Sequence, residues 1–421
     1  MKSIVIQPSS LKGSVLVSAE DEAARVAVCC AALSHGMSYL SHMPQTYDFE
    51  LFIEAVSQMG MKVMKKRDVG NRVDYLIKGT KYLQGATIQN AGSEKNLRWL
   101  IPLAGRCEEP VRLSTKSKIS HDFLVPYLAV LNERRVIYHS EKGHFPLVVD
   151  GTLPAGEYQI PDDFPPFAQA GLILSLPTME RDSWIELPID YQLDPCHDLV
   201  IDLMARFKME VIEEQNRLRL PARQTYKPAD LTIEGNMQTG RIWLLADAIG
   251  CEVDIEGIKR SSLQSERNWR SLFQELGLEI HKDELKYHLE GHQYAGLNLT
   301  CDEEDFAIFA TAMLLFAEGE SKLKIEKISK RTLERLNGLQ SLGAEIEIQD
   351  GSWRVKGKDK LLGGEVNVSG DPFFGMIVAI LSTRSIQPMI LRGFEWIHKQ
   401  EPKFWKQFAR LGGKVNEEEM V

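Results

Sequence analysis

The nine residues KISKRTLER at 327–335 hold four cations: Lys327, Lys330, Arg331 and Arg335. Groups of this kind grip phosphate or carboxylate, arginine through a two-pronged hydrogen-bonded fork and lysine as a point charge. Upstream, Asn90-Ala91-Gly92-Ser93 precedes the apolar stretch LRWLIPLAG, so the N–H groups at a helix start there form an intrinsic anion site. Asp305 opens another apolar stretch, FAIFATAML, where a carboxylate serves either as a proton acceptor or as a cap and dipole partner. Lys118 in STKSKISHDF, Arg241 in GRIWLLADAIG and Lys399 in HKQEPKFW are further cations. Plainer readings stand beside these. Asn90 suits a turn, and Lys399 is as readily a solvated loop residue as a ligand.

Other reactive side chains point to less. The six cysteines (Cys29, Cys30, Cys107, Cys196, Cys251, Cys301) form no C-x-x-C pair and no zinc spacing, and read as reduced, buried thiols. His35, His42, His121 and His197 read as surface or packing residues. Trp243, Trp396 and Trp405 read as packing rather than as a stacking site.

At 421 residues the chain exceeds one ordinary core and predicts two domains. A hydrophobic content of 43% with 26% charged residues is that of a globular protein. The formal charge of −9 argues against nucleic acid as a partner and leaves an anionic substrate possible only where local cations override the global field. MKSIVIQPSS does not read as a signal peptide, and no run approaches the ~18 apolar residues of a membrane span. The expectation is a cytoplasmic monomer that binds no membrane.

The elements that must position these groups repeat. A short alternating strand leads into an apolar helix, then a strand, a second amphipathic helix and two more strands. This β-α-β-α-β-β unit recurs six times at a spacing of about 70 residues. Its copies open at GSVLV (13–17), GATIQNAG (85–92), GEYQI (156–160), ADLTIEG (229–235), GLNLT (296–300) and GEVNVSG (364–370). The first helix of each copy is apolar nearly all round and so belongs inside its domain, while second helices such as WRSLFQELGLEI carry a polar face. A solenoid is disfavoured, because solenoid repeats are usually shorter and stack open-endedly.

Six such units, with VCCAALSHG at 28–36, NAGS at 90–93, HFPLVVDG at 144–151, FATAMLLFAEG at 309–319 and LQSLGAEI at 339–346, resemble the EPSP synthase family over essentially the whole chain. The resemblance implies an α/β fold of two inside-out α/β barrel domains, each of three repeats, with an interdomain ligand cleft. One domain is expected at 19–228, and the other is discontinuous, 1–18 with 229–421. The polar ARQTYKPAD at 222–230 is a plausible crossover. The implied reaction, in aromatic amino-acid biosynthesis, moves the carboxyvinyl group of phosphoenolpyruvate to a hydroxyl of shikimate 3-phosphate. It uses no metal or organic cofactor. Such chemistry needs anion grips, an acid for the vinyl carbon and a base for the hydroxyl proton.

By the same resemblance, Asp305 and Lys399 stand where the family has catalytic residues. Asn90, Ser93, Lys118, Arg241 and Arg331 stand as substrate-binding candidates. Several anion grips are replaced. Where the family has Lys, Ser and Arg after the opening strand, this chain has Asp21, Glu22 and Val26. Asn96 stands for another arginine, Pro165-Pro166-Phe167 for the hydrogen-bonding Ser-Ser-Gln, and Asp371-Pro372-Phe373 for Asp-His-Arg. Two readings stay open. One is a remodelled EPSP synthase in which Lys118, Arg241, Arg331 and Lys399 form another anion cage. The other is an inactive homologue that keeps the fold for ligand binding or protein interaction. A third, the sister enzyme using a cysteine acid at Cys107, lacks the basic loop around that residue.

Overall fold

The first helix of each repeat is buried almost all round, because its apolar residues occupy every face rather than one stripe. The computed structural model describes residues 3–69, 72–159, 164–187, 195–258, 262, 264, 267–282, 286–290 and 293–418. Ile160, expected at a strand end, lies outside them. The helices are α1 (Asp21–Leu33), α2 (Tyr47–Gln58), α3 (Glu94–Ala104), α4 (Val125–Glu133), α5 (Pro166–Ser175), α6 (Pro195–Arg206), α7 (Met237–Ala248), α8 (Arg267–Glu275), α9 (Glu304–Leu314), α10 (Lys330–Ser341), α11 (Pro372–Leu381), α12 (Glu395–Gln400) and α13 (Phe404–Arg410). In α1 every residue from Ala23 to Ala32 is buried, and in α11 every residue from Phe373 to Leu381.

Among the described residues the strands form six four-stranded sheets with one pattern. In one of them Ala86–Ile88 runs parallel to Val111–Leu113, which pairs antiparallel with His144–Asp150, and that strand pairs antiparallel with Ile137–Glu141. Each sheet thus has one parallel and two antiparallel pairings. In the sheet just described the α3 crossover gives the parallel pair, a short turn joins Ile137–Glu141 to His144–Asp150, and that last strand returns between its partners.

The chain divides into two compact units, Met1–Ser18 with Gly235–Arg260 and Glu266–Val421, and Ala19–Glu234 with Ser261–Ser265. Three sheets belong to each. Hydrogen bonding explains the boundaries. Lys12–Leu16, the opening strand of the first repeat, pairs with Glu252–Glu256 of the fourth. Asp230–Thr232, the opening strand of the fourth, pairs with Met37–Ser41 of the first. The sixth sheet is completed by Ser3–Gln7, which lies between Met389–Arg392 and Lys414–Glu418.

Within each unit the buried helices pack on one another, α1 on α3 and α3 on α5 in one, α7 on α11 and α9 on α11 in the other. Close approach is built in at Gly171 of α5, where a Cβ would fall 2.5 Å from the Pro102 ring of α3. In the other unit, buried Thr311 of α9 links helix to sheet: Trp353 Nε1 donates to its Oγ1 (2.9 Å), and that hydroxyl donates to the Ala307 carbonyl (2.7 Å). Thr311→Val leaves the buried indole N–H without its acceptor. The expected loss is about 2 kcal/mol in urea unfolding, the desolvation cost of one buried donor.

All six cysteines are buried. Among the described residues no helix is long and apolar enough to cross a membrane, and no three His, Cys, Asp or Glu side chains gather to hold a metal ion.

Candidate active site

In the unit containing α7 to α13, three helix starts bring charged groups together. Ser329 caps α10, accepting from Thr332 N (3.1 Å) while its hydroxyl donates to Glu304 Oε2 (2.7 Å) in the first turn of α9. Arg331 and Arg335, four residues apart, share one face of α10. Asp371 caps α11, accepting from Phe374 N (3.2 Å). Arg335 Nη1 donates to Asp305 Oδ1 (2.6 Å), and its Nε and Nη2 donate to the two oxygens of Asp371 (2.6 and 3.0 Å). Arg331 grips the same carboxylate by Nε (3.2 Å) and Nη2 (3.0 Å).

These contacts set the charges. Burial pushes the Asp371 carboxyl up, but hydrogen bonds from Arg335 and then Arg331 outweigh it and leave the pKa below the ordinary value. Burial likewise lowers that of Arg335, and its bonds to Asp371 and Asp305 more than reverse the effect. Both groups stay ionised.

The structure therefore joins Asp305 and Arg331, two of the expected site residues, through Arg335 and Asp371. Arg241 on α7 is buried, with its guanidinium 4.8 Å from the ring of Phe373 and 5.6 Å from that of Phe309. It reaches the cluster by way of Phe373, which Arg335 also approaches at 5.6 Å. Lys399 is exposed on α12 with Nζ 4.1 Å from the Trp396 ring, and makes no described bond to Asp305 or Arg331.

In the other unit Arg25 on α1 is the hub, fully buried. Its Nη1 meets Asp21 (2.8 Å), its Nη2 meets Asp48 (3.0 Å) and its Nε donates to Asn96 Oδ1 (2.8 Å). Asp48 also accepts from Ser93 N (2.8 Å) and Ser93 Oγ (2.7 Å). The α3 start, expected to offer its N–H groups to a ligand anion, thus already holds an internal carboxylate at Ser93. Ser93 is turned to Asp48, and Asn90 Oδ1 accepts from the Lys116 and Gly92 amides (3.2 and 3.4 Å) as a turn residue does. Lys118 is exposed and makes no ion pair among the described residues.

Asp21 and Glu22, at the expected anion position, are not bare charges. Lys95 lies 3.3 Å from Asp21, the Trp99 indole donates to Glu22 Oε2 (2.8 Å), and Arg98 lies 3.8 Å from Glu22. Beside them Glu20, the buried cap of α1, accepts from the Ala23 amide. Burial raises its pKa to about 7 against that bond, with help from Glu22 and Asp21. Pro165 and Phe167 line an apolar cavity of about 670 Å³ with Arg98, Phe123, Tyr127 and Phe164.

Sequence reasoning passed over Arg25 and Asp48. The Asp21-to-Arg25 spacing of one helical turn signalled half of that cluster. Nothing local signalled Asp48, which arrives from α2. Cys107 is fully buried, as expected of these thiols, and burial pushes it up to about 12, which does not favour it as a proton donor. His35 and His121 are exposed and His42 and His197 buried.

The sequence profile of EPSP synthase (3-phosphoshikimate 1-carboxyvinyltransferase) matches residues 5–408. The chain belongs to the EPSP synthase family. It is 27% identical over 426 aligned positions to the 3-phosphoshikimate 1-carboxyvinyltransferase of Clostridium kluyveri, covering 99% of each chain. With that of Clostridioides difficile it shares 27% over 432 positions, again covering 99% of each. Among solved structures, an EPSP synthase from Acinetobacter baumannii superposes with a TM-score of 0.79 at 16% identity over 100% of both chains. The enolpyruvyl transferase NikO from Streptomyces tendae does so at 0.77 and 13%, over 100% of this chain and 99% of its own. These likenesses establish the α/β fold of the family. Within the family this chain is a homologue whose α1 start carries carboxylates.

Proposed function

We propose that this chain transfers the carboxyvinyl group of phosphoenolpyruvate to a hydroxyl of shikimate 3-phosphate. The observation that carries the reading is Asp305, half exposed at the start of α9 and held by Arg335 beside Arg331. A fixed carboxylate next to a half-exposed guanidinium is the pairing the reaction needs, a base for the acceptor hydroxyl and a grip for phosphate or carboxylate. The acceptor oxygen bonds to the phosphate-bearing vinyl carbon and loses its proton to Asp305 while the methylene carbon gains one. The adduct then gives up a proton from that same carbon, the double bond re-forms, and inorganic phosphate leaves with the enol oxygen. Lys399 and Arg241 are the remaining proposed ligand contacts of this unit, and Lys118, Asn90 and Ser93 are those proposed for the other unit by itself. The full-length match to curated transferases supports this assignment, with the cytoplasm as the proposed site of action.

A second reading is favoured by one observation: Arg25, Lys95 and Arg98 already answer Asp21, Asp48 and Glu22. A unit whose cations are internally neutralised fits a homologue kept for binding rather than transfer.

Phosphate release from the two substrates separates them. Turnover is expected in the unaltered protein, with a loss of at least about 100-fold in Asp305→Asn, the range of a general base, and a smaller loss in Lys399→Ala. No release, with no thermal shift by either substrate, overturns the transfer reading.

A further inference from the structure

The row Asp305, Arg335, Asp371, Arg331 alternates in sign and has a buried middle with open ends. Side chains of Arg335 and Asp371 are 2% and 13% exposed, against 46% for Asp305 and 54% for Arg331. Both inner groups are fully used: Arg335 donates through all three nitrogens, and Asp371 takes two guanidinium forks and an amide. Each outer group keeps one functional atom without a hydrogen bond among the described residues, Oδ2 of Asp305 and Nη1 of Arg331. A buried ion pair is weak evidence of stabilisation, since well-packed apolar residues often serve as well. Its particular gift is geometry, because a rigid fork fixes whatever it holds.

We propose that Arg335, anchored by Asp371, is the positioning residue of this site: it fixes Asp305 so that the open oxygen meets the acceptor hydroxyl. Asp371 ties Arg331 to the same anchor, so base and anion grip keep one spacing. Phe373, the residue two positions after Asp371, packs its ring 5.6 Å from the Arg335 guanidinium and walls it on that side. The inference rests on the transfer reading.

The test is a kinetic cycle on the full chain with Asp305→Asn, Arg335→Met, the double variant and Arg335→Lys, each checked for folding by circular dichroism. Arg335→Met is expected to lower kcat at least about 30-fold with KM for both substrates within about threefold, because Arg331 remains chelated by Asp371. In the Asp305→Asn background the same change should cost less than about twofold, the non-additivity of a residue that acts through another. Arg335→Lys, which keeps the charge but not the fork, should recover part of kcat. Losses that multiply independently, or full kcat in Arg335→Met, overturn the proposal while leaving the transfer reading intact. If the methionine variant does not fold, unchanged kcat in Arg335→Lys overturns it equally. No turnover by the unaltered chain instead fells the transfer reading, and the inference with it.

Discussion

Arg25→Met destabilises the unit built on α1 to α6 by about 3–5 kcal/mol, the largest effect expected of any single change here. The guanidinium is fully buried and answers Asp21, Asp48 and Asn96 at 2.8 to 3.0 Å. Methionine fills the volume and makes no demand of its own. It strands the partners, however: Asp48 keeps Ser93 but loses its counter-ion, and Asn96 loses the donor to its Oδ1. The carboxylates are 22% and 31% exposed, so water relieves part of the cost and the lower half of the range is expected. Urea unfolding read by tryptophan fluorescence measures it. Adding Asp48→Asn should recover part of the loss, since a neutral amide needs no counter-ion. A stability equal to the unaltered protein would mean the buried cation is dispensable, and with it this account of how α1, α2 and α3 are joined.

Glu20→Gln works in the opposite direction and only at neutral to alkaline pH. Burial raises the Glu20 pKa from 4.5 to about 7 in the folded unit. The folded state therefore prefers the protonated acid, and stability falls as pH rises from the unfolded pKa through the folded one. Above pH 7 the penalty is complete, roughly 3 kcal/mol for a carboxyl raised from 4.5 to about 7. Glutamine keeps the oxygen that accepts from Ala23 and removes the charge. Urea midpoints should rise in the variant at pH 8 and nearly coincide with the unaltered protein at pH 4.5. Equal midpoints at pH 8 would show that the carboxylate is better solvated than its burial implies.

The charge reversal at Asp21 and Glu22 shows the limit of reading a site from positions alone. Taken by position, Asp21 and Glu22 are two carboxylates where the family grips an anion, and bare carboxylates repel one. The folded unit surrounds them with Arg25, Lys95 and Arg98, so repulsion is replaced by internal neutralisation. Only Arg25 lies a helical turn from its partner in sequence. Lys95 and Arg98 come from α3, about 75 residues away, and no local rule reports such a meeting.

Period and apolarity alone determined most of the architecture. Helices apolar on every face must lie inside, and alternating strands joined by helical crossovers and short turns must form mixed sheets, so six repeats were legible before any contact was known. The retained Asp305 and the cations of 327–335 were legible as residue types. What only the tertiary structure decided was which charges meet. It set Arg335 between Asp305 and Asp371, Asp48 on the start of α3, and the opening strands of the first and fourth repeats in each other's sheets. The physical reason is range. Periodicity and capping act within a few residues, whereas ion pairing and strand pairing depend on separation in space, which the chain sets only once it is folded.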